Sequence, residues 1–258
     1  MSSQGASCDN ASVGSNSSKF ILIIGLLAVP MVLPSCGGSQ ETVATPTDDG
    51  RGSDDSGRRR SGMGMSAEIG ALDEAKVNAT FKRSFNQLAA CYTRGTERVP
   101  YMAGEISFKI RVNSEGKARW VFVKDSNLGD HDTEACMVRV LKGASWPSPV
   151  DGQEGVAESG FSFEPGGDAR PPVAWSPDQL GPKFKDAQGK LAQCRSDAGT
   201  GPLKATLYVS TEGKPESVGV SASDEKGEAA AACVVETLSG LTFPSPGSYA
   251  SKVSVTIE

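Results

Sequence analysis

The chain has 258 residues, of which 38% are hydrophobic, with 30 glycines, 15 prolines and a formal net charge of −5. That length accommodates two ordinary domains, while the low apolar fraction and the abundance of Gly and Pro leave part of the chain unable to build a core. An acidic balance with no basic face argues against nucleic acid as a partner. The cysteines are Cys8, Cys36, Cys91, Cys136, Cys194 and Cys233, with no C-x-x-C pair, and His131 is the single histidine. Neither a zinc site with His ligands nor a thioredoxin-like redox centre is therefore expected.

Residues 20 to 33 read FILIIGLLAVPMVL, fourteen uncharged residues preceded by Lys19 and closed by Leu33-Pro34-Ser35-Cys36. The run is shorter than the roughly 20 residues that span a bilayer, and suits a signal-peptide core. A small residue followed at once by cysteine resembles a bacterial lipobox. The resemblance implies a signal peptide over 1–35, lipidation of Cys36, and, with Gly37 rather than aspartate next, an outer-membrane anchor facing the periplasm. An uncleaved anchor helix or ordinary signal-peptidase cleavage are the alternatives.

The stretch 36–70 that follows is mostly Ser, Gly, Asp, Thr and Arg. It cannot bury enough surface to offset its ordering entropy, so a disordered tether is expected, spanning roughly 30 Å on average. Arg58-Arg59-Arg60 within it reads as a solvated charge run before it reads as a headgroup contact. The glycines of Ser61 to Ser66 precede no strand-turn-helix pattern and make no phosphate loop.

Beyond the tether the chain repeats itself. Phe81 and Leu88 precede Cys91 by ten and three residues, and Phe184 and Leu191 precede Cys194 by the same intervals. Gly116 lies twenty residues before Cys136, and Gly213 twenty before Cys233. Ten residues after those cysteines stand Trp146-Pro147-Ser148-Pro149 and Phe243-Pro244-Ser245-Pro246. Between Cys91 and Gly116 the first copy has 25 steps where the second has 19, a loop six residues longer. The pattern predicts a duplicated unit over 71–165 and 176–258. The Gly/Pro-rich linker 166–175 suggests that the two copies are independent or loosely docked.

Each copy reads as α-β-β-α-β. Val77, Phe81, Phe85 and Leu88 form one apolar helical stripe, with Asp73 as N-cap. The second copy has Ser176-Pro177 as cap and first-turn proline, with Pro182 delaying or kinking its helix. Ile106, Phe108, Ile110 and Val112 then alternate with polar residues, as do Leu203, Ala205, Leu207 and Val209, which marks strands with one buried face. Glu115-Gly116-Lys117 and Glu212-Gly213-Lys214 turn the chain into return strands through Val121 and Val123, or Val218 and Val220. Second helices carry Met137, Leu141 and Ala144, or Val234, Leu238 and Leu241, and the paired prolines are expected to stop them. A last strand holds Phe161 and Phe163, or Val253, Val255 and Ile257.

The expected fold class is thus α+β: two tandem small domains, each an antiparallel three-stranded sheet covered by two helices. One cysteine sits late on each first helix and one on each second helix, so pairing Cys91 with Cys136 and Cys194 with Cys233 staples each copy. A loop of about 45 residues closed in this way stabilises a domain by roughly 4 kcal/mol in the chain-entropy model. Four buried free thiols are the alternative.

This arrangement resembles the C-terminal domain shared by the gliding-motility proteins AgmX and PglI, a relative of the TonB C-terminal domain. The match is carried by Cys91-Tyr92, Gly104, Gly116, Cys136, Trp146-Pro147 and the Phe161/Phe163 strand. The second copy matches through Cys194, Gly213, Cys233 and Phe243-Pro244, with Arg195 where the pattern prefers tyrosine. The resemblance implies a non-enzymatic module that engages envelope proteins by adding a partner's extended segment to a sheet edge, in a motility or transport assembly. It implies no cofactor, metal or catalytic residue.

Candidate chemistry is otherwise thin. His131 stands among Asp130, Asp132 and Glu134, but Glu228 occupies its place in the second copy, and acidic residues at a helix start fit the macrodipole. The cluster therefore reads as capping rather than as a general base or metal site. Ser159 lies in no G-x-S-x-G elbow. Trp120 and Trp146 read as core residues, with ligand contacts as the alternative. Tyr92, Tyr101 and Trp175 are the aromatics that a second function, binding of peptidoglycan or another glycan, would use. Candidate edges for strand addition are the hairpin strand Ala118–Lys124 and the terminal strands.

Overall fold

The computed structural model describes residues 69–258 apart from Gly166 and Asp168. The signal peptide 1–35, the lipidation site Cys36, the Ser61–Ser66 run and nearly all of the tether 36–70 lie outside the described residues.

Within them the fold is mixed α+β, with four α-helices and two sheets. In chain order these are β1 (Ile69–Gly70), α1 (Glu74–Thr96), β2 (Gly104–Val112), β3 (Ala118–Ser126), α2 (His131–Lys142), β4 (Glu154–Phe163), β5 (Val173–Ala174), a 3-10 turn (Pro177–Leu180), α3 (Gly181–Ala198), β6 (Leu203–Val209), β7 (Pro215–Ala222), α4 (Gly227–Ser239) and β8 (Ser251–Ile257). The strand orders are β1-β4-β2-β3 and β5-β8-β6-β7. In each sheet the three long strands are antiparallel, as their alternation requires.

A fourth strand corrects the three-stranded expectation. Ile69 and Gly70 pair in parallel with Glu154 and Gly155, and Val173 and Ala174 pair in parallel with Ser251 and Lys252. Two residues are too few to carry a period, and they fall in stretches whose composition reads as tether and as linker.

The alternating strands bury the predicted faces. Ile106, Phe108, Ile110 and Val112 pack with Val77, Phe81, Leu88, Met137 and Leu141 into one core. Leu203, Ala205, Leu207 and Val209 pack with Phe184, Leu191, Val234 and Leu238 into another. Each such large side chain contributes about 1.5–3 kcal/mol on full burial. Phe85 departs from its stripe: it is 45% exposed, with its ring stacked on Phe161 at 6.2 Å.

Local signals account for most element ends. The Asp73 carboxylate accepts from Lys76 N at 3.0 Å and caps α1. Ser176 N donates to Gln179 Oε1 at 2.8 Å and opens the 3-10 turn, and α3 follows with Pro182 in its first turn, where no intrahelical donor is lost. The prolines after the second helices do not stop them. Those helices end at Lys142 and Ser239 with Gly143 and Gly240 as C-caps, so Ala144 and Leu241 lie beyond them, half-buried on their cores.

The aromatic-proline stretches hold the hairpin turns instead. Trp146 N donates to Gly116 O at 3.0 Å, and Phe243 N donates to Gly213 O at 2.8 Å. Gly116 and Gly213 adopt φ of +74° and +79°, and a Cβ there would lie 2.4 Å and 2.0 Å from the carbonyl oxygens of Trp146 and Phe243. The turn glycine and the aromatic are therefore one device, present in both halves.

Both disulfides are formed. Cys91 on α1 bonds Cys136 on α2 with Cα atoms 5.8 Å apart, and Cys194 on α3 bonds Cys233 on α4 at 5.7 Å. They close 45 and 39 residues, about 4 kcal/mol each.

The halves are not independent or loosely docked; they pack into one compact unit. The loop between α1 and β2, the segment that is six residues longer in the first copy, lies on the outer face of β6. Its Val99 and Met102 are fully buried against Tyr208, itself 0% exposed. Ala103 N donates to the Tyr208 hydroxyl at 3.1 Å, and Lys252 Nζ donates to Ala103 O at 2.6 Å from above the Tyr208 ring. Ser217 Oγ donates to Gly129 O at 2.8 Å, and Lys204 pairs with Asp125 at 2.5 Å.

Candidate interaction edge

Docking decides which sheet edges stay open. β3 and β7, each outermost in its sheet, lie side by side across the joint without ladder pairing. Phe122, on the outward face of β3, is 3% exposed as a consequence. The hairpin strand, one of the candidate edges, therefore faces the second half. The terminal strands differ. β1 covers only Glu154 and Gly155 of β4, and among the described residues nothing pairs with the outer side of residues 156–163. On β8, β5 covers only Ser251 and Lys252.

A strand laid along the open part of β4 meets two different surfaces, because successive side chains alternate. On the helix side, Phe85 and Phe161 form a half-exposed aromatic pair, and Phe161 rests in turn on Phe81 at 5.9 Å and Phe108 at 6.2 Å. On the other side β4 presents Glu158, Gly160 and Ser162. Glu158 is paired with Lys109 at 3.2 Å and Lys124 at 2.5 Å, and Glu154 with Arg111 and Arg119 at 2.5 Å each. These contacts hold both carboxyls below their ordinary range, led by the hydrogen bonds from Lys124 to Glu158 and from Arg119 to Glu154. Ion-paired side chains beside an open edge limit indiscriminate strand pairing. At the corresponding edge of β8, Phe184, Gln188, Leu191 and Ile257 line a groove of about 240 Å³, with Gln188 at the position of Phe85.

The other sequence candidates have structural posts. Asp130 caps α2, accepting from Thr133 N at 2.8 Å, and pairs with Arg98 at 2.6 Å. Glu134 is buried instead of capping. It accepts from Ser126 Oγ at 2.6 Å and from Val220 N of β7 at 2.9 Å, and burial raises its carboxyl to about 7. His131 lines a narrow cleft with Glu134 and Glu228, and among the described residues no metal-binding group of three or more side chains assembles. Trp146 is buried, edge-on to Phe81 at 4.9 Å, and its indole N–H donates to Leu141 O at 3.1 Å. Trp120 is half-buried against Phe122.

The aromatics named for a glycan, Tyr92, Tyr101 and Trp175, are each half-buried against neighbours. Tyr92 stacks on Phe163 at 4.7 Å, with its hydroxyl at 2.6 Å from Met102 O. Tyr101 packs between Tyr208 and Tyr249 and donates to Glu216, and burial raises its phenol well above the ordinary range. Trp175 is half-buried on the second core. Ser159 lies on β4 opposite Phe108.

Sequence reasoning missed Phe85 as a surface ring, Glu134 as a cross-joint contact, and Tyr208. The last had a visible signal: a large aromatic on the otherwise polar row Lys204, Thr206, Tyr208 of β6.

Among the described residues no helix is long and apolar enough to cross a membrane. Compared with family models, curated proteins and solved structures, the chain matches none.

Proposed function

We propose that the protein is a non-enzymatic envelope lipoprotein in which two TonB C-terminal-like domains of the AgmX/PglI kind stand in tandem on a tether from Cys36. It is a scaffold at the periplasmic face of the outer membrane, in a motility or transport assembly, and it binds an envelope protein by taking up an extended segment. The observation that carries this reading is the outer side of β4 over residues 156–163, unpaired among the described residues and bordered by the half-exposed Phe85–Phe161 pair. Main-chain N–H and C=O groups along such an edge supply affinity, and the aromatic pair supplies a contact for a partner side chain on the helix side. The matched disulfides and the lipobox-like end of the leader agree with an exported, oxidised location.

The test uses a photo-crosslinker at the exposed Ser162 and proline placed singly at Ser159 and at Gly160. Adjacent N–H groups of a strand point to opposite sides, so one of the two prolines removes an outward donor without touching the β2 ladder. That variant keeps both disulfides and its circular dichroism spectrum and loses the crosslinked envelope protein. Undiminished crosslinking in both proline variants sinks the reading.

A further inference from the structure

We infer that the joint between the two halves is a pH-sensitive latch, which holds while the Glu134 side chain is neutral and loosens when it is charged. Glu134 is 1% exposed and sits where the two halves meet. One carboxyl oxygen faces Ser126 Oγ at 2.6 Å within its own half, and the other receives the Val220 N–H of β7 at 2.9 Å. Val220 belongs to the outer edge strand of the second sheet, so the carboxyl occupies the place that a carbonyl of an added strand would take.

No cation offsets the burial. Among the described residues no ion pair involves Glu134; Arg98 of the α1–β2 loop is committed to Asp130, Lys124 of β3 to Glu158, and Asp125 of β3 to Lys204. The other titratable groups facing the cleft are His131 on the same helix and Glu228 on α4, while β3 and β7 line it with Phe122, Val123, Val220 and Ala222. Asp130, one turn away, adds a like charge that also disfavours ionisation. Burial without a counter-ion favours the neutral form and outweighs the hydrogen bonds from Ser126 and from the Val220 and Gly129 backbones, which favour the charged one.

The direction follows from linkage. With the halves apart, Glu134 returns to water and to the ordinary carboxyl value of 4.5; docked, burial raises it to about 7. Docking is therefore at full strength below pH 4.5, weakens as the pH rises toward 7, and changes no further above that. Between pH 4.5 and 7.5 the docking equilibrium falls about a hundredfold. Loosening uncovers the outer edge of β7, a strand edge that the first half otherwise occupies.

The experiment is hydrogen exchange on the full chain, followed at the Val220 amide and corrected for intrinsic rates. The amides of β2, paired on both sides, serve as reference. Relative protection of Val220 drops tens of fold or more from pH 4.5 to 7.5 in the wild type and stays level in Glu134→Gln. A level wild-type profile, or a Glu134→Gln profile that falls like the wild type, overturns the latch. Should Glu134→Gln fail to fold, His131→Ala decides: a slope retained in that variant keeps Glu134 as the titrating group, and a slope lost assigns it to the histidine and ends the proposal.

Discussion

The two halves share a strand order, a disulfide and a hairpin glycine braced by an aromatic-proline stretch, yet their outer sheet faces have opposite fates. On β6, Thr206 and Tyr208 are buried, whereas Lys109 and Arg111 at the corresponding places on β2 hold ion pairs at a partly exposed surface. The cause is the longer α1–β2 loop of the first half, which brings Val99 and Met102 onto Tyr208. A six-residue difference in one loop turns two like folds into platform and cover. It also hides the β3 and β7 edges, while among the described residues most of the outer sides of β4 and β8 stay unpaired.

What the halves have in common should break in both alike. Replacing Cys91 and Cys136 together with alanine costs about 4 kcal/mol in the chain-entropy account, and replacing Cys194 and Cys233 costs nearly the same, since the loops closed are of similar length. Urea unfolding under oxidising conditions measures both. A loss in one half only would mean that the joint, rather than the staple, supports the other.

What the halves do not share should break in one. Tyr208→Ala empties a fully buried aromatic site and removes the hydrogen bonds to Ala103, at about 3 kcal/mol. Arg111→Ala, at the corresponding position of the first half, removes a partly exposed ion pair and costs less than about 1 kcal/mol. Equal costs in denaturant titrations would contradict the platform-and-cover arrangement.

The framework was legible in the sequence because its signals are local and repeated. Alternation at Ile106–Val112 and Leu203–Val209, the equal spacings around the cysteines and the hairpin glycines each depend on a few neighbouring residues. What escaped depends on distant partners. β1 and β5 are strands only because β4 and β8 lie beside them, and neither pair of residues shows a period. The second helices end at glycines, while the aromatics just ahead of the more conspicuous prolines, Trp146 and Phe243, bond a turn thirty residues upstream in sequence. Glu134 reads as a first-turn acid at a helix start, and only the packing of β7 against α2 makes it a buried group. The joint had weaker clues: Val99, Tyr101 and Met102 are apolar residues in a loop, and Tyr208 interrupts a polar strand face.

The smallest expected effect on stability bears most directly on function. Phe81 and Phe85 are successive members of one helical stripe, but Phe81 is buried and Phe85 is 45% exposed. Phe85→Gln writes the second half's Gln188 into the first and should cost less than about 1 kcal/mol in unfolding, because the ring keeps much of its hydration when folded. A core phenylalanine truncated to alanine, as in Phe81→Ala, costs about 3–5 kcal/mol. If the open side of β4 takes up a partner strand, Phe85→Gln removes an aromatic contact from the helix side of that strand and weakens capture about three- to tenfold, the scale of an aromatic pair beyond its buried area. Capture measured beside unfolding separates the two roles of the ring. Full capture with a large stability loss would return Phe85 to the core and leave the β4 edge without its side-chain pocket.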